Sequence, residues 1–351
     1  MRPTLVEILV DPVWRRPLTV AAAETERGGE VISGELRGAD GIRYPIRGGI
    51  PRFVGASETG QEQVAKSFGF KWSVRSGYEH PRVNALNESS EIERYGLRTL
   101  DEFRRIFRDR RRVLDAGCAA GHHSSIYVTP SSAPSEWVGT DISAAIDIAK
   151  ERLGDVPGTS FVQADIHQLP FKDASFDLVI SRGVMHHTPS THAAFQSLVR
   201  VLEPGGEFIF FVYRKNGPVR EFTDDHIRAV LSAMPPERAW EALRPLTRFG
   251  EALSKVKAVV EIPEDVPYLG IPAGKHEIQT LIYNYFVKAF WNSEWNYDEN
   301  NLISFDWYHP AYAFRHTEQE VRGWCADAGL RIIHLDARWT GFTVRSVKTA
   351  S

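Results

Sequence analysis

Three aspartates stand at the ends of three successive apolar runs: Asp115 in Arg112–Ala116, Asp141 after Trp137-Val138-Gly139-Thr140, and Asp165, followed by Ile166, after Phe161-Val162-Gln163-Ala164. A carboxylate that accepts two O–H donors makes charge-assisted bonds, stronger than neutral ones. In this order Asp115 is suited to stabilising the turn that follows it and Asp141 to accepting both hydroxyls of a ribose. Asp165 is suited to accepting the exocyclic amine of an adenine, with Ile166 packed on the ring. The turn itself runs through Gly117, Cys118, Ala119 and Gly121. Stepping acids of this kind require short buried parallel strands, because an open α/β sheet binds its ligand at the carboxyl ends of the strands, beside the point where strand order reverses. A dinucleotide fold would need the spacing G-x-G-x-x-G, which Gly117-x-x-x-Gly121 does not fit.

From about Arg112 to Tyr213, and again from Thr317, the chain resembles the class I S-adenosylmethionine (SAM) dependent methyltransferases. Ser175–Ser181 looks like the family's fourth strand, and Arg182 to Pro189, containing His186 and His187, looks like the loop after it. Leu198 to Ile209, through Pro204-Gly205-Gly206, looks like the helix, glycine turn and fifth strand. The resemblance implies a Rossmann-like α/β sheet and S-adenosyl-L-methionine as cofactor, held by Asp115, Gly117, Cys118, Ala119, Gly121, Asp141, Ile142, Asp165, Ile166 and Ser181. Ala119 departs from the family, which usually has glycine there. Only glycine adopts positive φ freely, and an added methyl crowds a ligand lying against the backbone.

At 351 residues the chain exceeds one ordinary domain, so a core with additions is expected. Its 42% hydrophobic and 25% charged residues are those of a globular protein. A formal net charge of -3 gives no global attraction for nucleic acid. The basic run Arg108 to Arg112 falls at a helix end, where cations suit the dipole. Two cysteines, Cys118 and Cys325, build neither a disulfide framework nor a zinc site. A cytoplasmic setting, no membrane span and no metal are the expectation.

Residues 1–54 form a separate β-rich unit punctuated by Gly28-Gly29, Gly38, Gly41 and Gly48-Gly49. Tyr44 to Pro51 resembles the closing segment of the small zinc-ribbon-like activator domains that precede or partner methyltransferases. The cysteine pairs of zinc-bearing members fall near Asp11–Trp14 and Arg37–Asp40, where this chain has none. The unit is expected to hold no zinc and to pack on the catalytic domain or cover its cleft. Residues 55–90 read as a linker or lid carrying Phe68, Phe70, Trp72 and Tyr78. Gln63 to Trp72 resembles a segment that folds over the SAM cleft in fused relatives, which brings Phe70 and Trp72 to the cofactor. Ser90 with Glu93 has capping-box spacing before a helix through Leu97, Leu100, Phe103 and Phe107. The SAM-binding core is then 91–213, an inserted cap 214–316, and a closing helix and hairpin 317–351. The cap opens with helices around Asp224–Ala233 and Glu237–Leu243 and continues with a dozen aromatics, most of which fill its own core.

Methyl transfer is a displacement at carbon, so the protein must chiefly hold the reacting atoms in line about 3 to 3.5 Å apart. Where the acceptor is a hydroxyl, a base adds about 10² to 10⁴-fold. By the resemblance, His186 and His187 lie where acceptors bind and are the first candidates, with Tyr213 beside them. Arg214, Tyr283, Trp307, Tyr308 and His309 are candidates for the acceptor pocket, where aromatic faces hold a cation or stack on a flat acceptor. The reading is methylation of a small molecule, a specialised metabolite or glycan precursor. Two others stay open: cleavage or ring closure of SAM's aminobutyryl arm, which releases methylthioadenosine, and a non-catalytic SAM-binding partner role, for which Ala119 is the main support. Acceptor and oligomeric state are not legible.

Overall fold

The structure, a computed structural model, describes residues 1–55, 59–74 and 81–349. Tyr78 lies outside them. A short helix α1 (Pro3–Val6) leads into β1 (Thr19–Arg27), β2 (Glu30–Arg37), β3 (Arg43–Arg47) and β4 (Ile50–Pro51), an antiparallel sheet in chain order. Helices α2 (Thr59–Val74), α3 (Pro81–Arg94) and α4 (Leu100–Arg108) follow. The core then alternates: β5 (Arg112–Ala116), β6 (Glu136–Asp141), α5 (Ala145–Leu153), β7 (Thr159–Gln163), β8 (Phe176–Arg182), α6 (Thr191–Val201) and β9 (Leu202–Tyr213). Next come α7 (Pro218–Leu231), α8 (Pro236–Lys255), the hairpin β10 (Val259–Ile262) and β11 (Gly274–Glu277), α9 (Ile278–Tyr285) and α10 (Tyr297–Tyr308). The chain closes with α11 (Glu318–Asp327), β12 (Leu330–Arg338) and β13 (Gly341–Lys348).

The large sheet has the order β12-β13-β9-β8-β5-β6-β7, parallel from β9 to β7 and closed by the antiparallel hairpin β12–β13. Order reverses between β5 and β8, the switch point at which such sheets bind ligands. Its strands are apolar on both faces, as buried parallel strands are. Val113, Trp137 and Phe161 pack on one side with Phe103 and Phe107 of α4, and Leu114, Val138 and Val162 on the other. That second layer includes Met1, Leu5, Ile8, Leu36 and Ile46, so the N-terminal sheet packs directly on the core. It also covers the β7 edge, where Phe53 N donates to the Gln163 carbonyl at 2.8 Å.

The expected start of the helix before β5 is corrected. Ser90 lies inside α3; Gly96, at φ +71°, breaks the chain, and Thr99 caps α4 by accepting from Glu102 N at 3.1 Å. Glu91 explains why α3 runs on past Ser90, since its buried carboxylate pairs with Arg182 at the end of β8 and with His123 Nε2 at 3.1 Å. The basic run is paired, Arg110 with Glu207, Arg111 with Glu203 and Arg112 with Glu136. The cap builds its own core from Leu231, Ala239, Leu243, Phe305, Trp307 and Tyr308, and its hairpin β10–β11 is an element that the sequence pattern did not announce. Among the described residues no helix is long and apolar enough to cross a membrane.

Candidate functional site

The carboxyl ends of β5 to β9 form the rim where Asp115, Asp141, Asp165, Ser181 and Tyr213 converge with the loop carrying His186 and His187. The glycine turn leaves β5 with Gly117 at φ +84°, Ala119 at φ +50° and Gly121 at φ +74°. A side chain at Gly117 would start 2.3 Å from Val184, so glycine is required there by space as well as by angle. Ala119 keeps the left-handed conformation despite its methyl, at a cost of roughly 1–2 kcal/mol, and its N–H donates to Asp141 Oδ2 at 2.9 Å.

Asp115 does not bond the turn itself. It is buried, and its Oδ2 accepts from Ser124 Oγ and from Tyr127 OH, both at 2.6 Å, anchoring the segment after the turn. Burial raises its pKa and that of Asp141. Besides Ala119 N, Asp141 accepts from Ser143 N at 2.8 Å and Ser143 Oγ at 2.6 Å. A carboxylate has about four acceptor positions, so one stays open to a ribose hydroxyl and a second opens if the Ser143 hydroxyl turns away. Asp165 caps the turn after β7 by accepting from His167 N at 2.9 Å, with Ile166 buried beside it. Ile142 is half-buried next to Asp141, and the buried Cys118 thiol is pushed up in pKa by desolvation. Ser181 Oγ is fully buried near the end of β8 and has no hydrogen-bond partner among the described residues. The open acceptor on Asp141, the unbonded Ser181 hydroxyl and the glycine turn fit the polar groups and close backbone approach that SAM requires.

Beyond the rim, His187 Nδ1 lies 2.7 Å from the Tyr312 carbonyl and Nε2 lies 3.3 Å from Tyr213 OH. A carbonyl only accepts, so the proton sits on Nδ1 and Nε2 is the acceptor for the Tyr213 hydroxyl. Desolvation lowers the His187 pKa to about 4, with Asp306 acting in the opposite sense. His186 is fully buried, stacks on Tyr213 at 3.7 Å and, among the described residues, finds no hydrogen-bond partner for either ring nitrogen; desolvation lowers its pKa as well. Trp307 packs on Tyr213 at 4.4 Å and is oriented by its Nε1 donating to Asp224 at 2.8 Å. Phe68 of α2 covers His187 at 5.0 Å, and Lys71 pairs with Asp306 at 2.6 Å.

Several expected residues are elsewhere. Arg214 points to the closing hairpin, over Trp339 and Phe342 at 5.6 and 5.9 Å, because successive strand residues face opposite ways. Tyr308 is buried against Asp224 at 2.6 Å, and His309 bonds Ser67 Oγ at 2.8 Å and the Met234 carbonyl at 3.1 Å. Both belong to the cap's interior. Tyr283 packs against Arg220 and Phe290. Phe70 joins the cap core against Trp240 and Phe305, whereas Trp72, two residues on, stacks on His122 next to the glycine turn at 5.6 Å. Asp224, Lys71 and Lys288 carry no mark in the sequence pattern; Lys71 meets Asp306 across 235 residues and Trp307 meets Asp224 across 83. A cleft of about 450 Å³ opens between Arg2, Glu30, Arg112 and Glu136, at the opposite edge of the sheet.

A rim of acids on a switch point beside a glycine turn defines a nucleoside-binding α/β enzyme fold. Residues 114–210 match the methyltransferase domain family. The chain is 30% identical over 186 residues to the fatty-acid O-methyltransferase of Mycolicibacterium smegmatis, covering 51% of this chain and 67% of that protein. It is 33% identical over 115 residues to phthiotriol/phenolphthiotriol dimycocerosates methyltransferase 1 of Mycobacterium ulcerans, covering 33% of this chain and 42% of that protein, less than half of its length. An S-adenosylmethionine dependent methyltransferase of Mesorhizobium loti overlays with a TM-score of 0.41 at 15% identity, over 69% of this chain and 92% of that one. The chain belongs to the class I SAM-dependent methyltransferases, with S-adenosylmethionine as its cofactor.

Proposed function

We propose that this protein methylates an oxygen of a small-molecule acceptor bound between the carboxyl rim and the cap. The observation that carries the reading is the relay from Tyr213 OH through His187 to the Tyr312 carbonyl, in which the hydrogen bonds fix one tautomer. SAM, when bound, supplies an electrophilic methyl group. The chain's part is to bind it at Asp141, Asp165, Ile166 and Ser181, to seat the acceptor against Trp307 and Tyr213, and to accept the acceptor's proton. The neutral His187 Nε2 receives it, directly or through the Tyr213 hydroxyl, and Asp306 stabilises the imidazolium that forms. Phe68 and the buried cap aromatics exclude water from that step.

The acceptor class that suits an aromatic-walled pocket is a specialised metabolite or glycan precursor with a planar or partly apolar body. Relatives named for fatty-acid and phthiotriol substrates support a small organic acceptor. We read the N-terminal sheet as a zinc-less counterpart of activator domains. Asp11 takes over the organising role at one vacant cysteine position, accepting from Val13 N at 2.9 Å, Trp14 N at 2.6 Å and the Tyr44 hydroxyl. The deciding experiment incubates the protein with SAM and a cell extract and identifies the sulfur product. S-adenosylhomocysteine supports methyl transfer, methylthioadenosine shows that the aminobutyryl arm was used, and no turnover above background indicates a binding role.

A further inference from the structure

Lys288, in the chain between α9 and α10, is buried at 7% exposure, and its ammonium stands 3.9 Å over the Trp307 ring. The charged groups around it are otherwise matched. Arg220 pairs with Asp224 at 2.7 Å, Lys71 with Asp306 at 2.6 Å, Arg228 with Asp225 at 3.0 Å, and Arg315 with Glu221 at 2.7 Å. Among the described residues Lys288 has no carboxylate within ion-pair distance, and its side chain's one recorded contact is the indole face. A buried charge is expensive unless paired and hydrogen-bonded, and an ammonium offers three donors. Desolvation together with Arg220 and Arg228 lowers its pKa to about 7, against the pull of Asp306 and Asp224. Trp307 carries both this ammonium and the Tyr213 ring, so the surplus cation is one indole away from the proposed proton relay.

We propose that Lys288 is the anchor for a carboxylate on the acceptor, placed at the far side of Trp307 from the oxygen that is methylated. This rests on the methyltransferase reading of the same pocket and adds the substrate class: an aromatic or otherwise flat molecule bearing one carboxylate besides its methylated group. A single surplus positive charge matches a monoanion; a phosphate dianion would leave one negative charge unmatched. Because the anchor works only as an ammonium, acceptor capture weakens about tenfold per pH unit above the Lys288 pKa of about 7. Acting on Lys288 are Arg220, Asp224 and Arg228 from α7 and Asp306 from α10; His186 from the loop after β8 lies within its field, the Lys288 backbone N–H donates to the Tyr308 hydroxyl, and Lys71 of α2 and His187 are linked to it through Asp306. Of these the two histidines are held neutral near pH 7, which leaves Lys288 to set this dependence.

The test labels the whole protein with a neutral acetylating reagent at pH 7.5 and follows each lysine by mass spectrometry, with benzoate, benzamide or phenyl phosphate present. Expected are an about tenfold slower acetylation of Lys288 at saturating benzoate, no protection by benzamide, weaker protection by phenyl phosphate, and no change at the exposed Lys66 and Lys255. Equal protection by benzoate and benzamide, or protection by neither, overturns the anchor, and stronger protection by phenyl phosphate overturns the monoanion assignment. SAM binding, measured by calorimetry on the same sample, reports separately on the methyltransferase reading. Its absence would sink that reading whatever benzoate does.

Discussion

Asp141→Asn separates two roles that one carboxylate plays. In the native turn Oδ2 accepts from Ala119 N at 2.9 Å, while Oδ1 accepts from Ser143 N and Ser143 Oγ. An amide can keep the Ser143 bonds through its oxygen, but its NH₂ then faces the Ala119 N–H, donor against donor. A buried N–H left unsatisfied costs about 1–3 kcal/mol, and this loss falls on the fold. The cofactor loses the bond from a ribose hydroxyl to a charged acceptor, about 1.5–3 kcal/mol, or roughly tenfold to 150-fold in Kd. Chemical denaturation reads the first quantity, and calorimetry with SAM and S-adenosylhomocysteine reads the second, both at pH 7.5. A folded variant that loses stability in this range but binds SAM within threefold of wild type refutes the placement of the ribose on Asp141. One that loses neither refutes the described turn.

Ala119→Gly removes a methyl from a residue at φ +50°. Relief of roughly 1–2 kcal/mol against a glycine entropy cost of about 0.5–1 kcal/mol predicts unchanged or slightly higher stability and SAM affinity that does not fall, so a loss above about 1 kcal/mol in denaturation contradicts the strain. Glu91→Gln weakens a pair whose Glu91 end is buried and whose Arg182 end reaches solvent, so the loss should be about 1–3 kcal/mol; a denaturation change below about 0.5 kcal/mol, the level of an exposed pair, would contradict this contact. His187 and His316 both have pKa values lowered by burial from 6.5 to about 4. The unfolded chain therefore binds protons that the fold refuses between pH 6.5 and 4, and stability is present above that window and lost as pH falls through it, by roughly 3 kcal/mol per histidine. Denaturation midpoints that stay flat from pH 6.5 to 4.5 would contradict this. With an acceptor in hand, Tyr213→Phe should lower kcat about 10² to 10⁴-fold with little change in KM, and a shift in KM alone would assign Tyr213 to binding.

The parallel core was legible because its information is local. Each of β5, β6 and β7 is a largely apolar run of five or six residues, and its acid stands within two residues of the strand's end. The closing helix and hairpin were legible for the same reason, with Thr317 and Glu320 forming their capping box within one turn. What the carboxylates bond was less so. Ser143 is two residues from Asp141, but Ser124 and Tyr127 reach Asp115 across a turn whose path depends on Gly117 and Val184. Long-range pairs such as Glu91 with Arg182 or Lys71 with Asp306 join residues 91 and 235 apart, and nothing in either neighbourhood marks the partner.

Some errors about the acceptor pocket were avoidable from periodicity alone. Tyr213 and Arg214 are successive residues at the end of a strand, so they face opposite sides and could not both line one pocket. Trp307 and Tyr308 are successive on a helix, about 100° apart; both donate to Asp224, but Trp307 also packs on Tyr213 while the Tyr308 hydroxyl accepts from Lys288 N. Phe70 and Trp72 are two apart on α2 and cannot share a face. That last separation has a structural consequence. Through Phe70, Lys71, Gln63 and Ser67 the helix is fastened to the cap, while Trp72 reaches His122 beside the glycine turn. Helix α2 therefore touches both the cap, through Phe70, and the segment that follows the glycine turn, through Trp72.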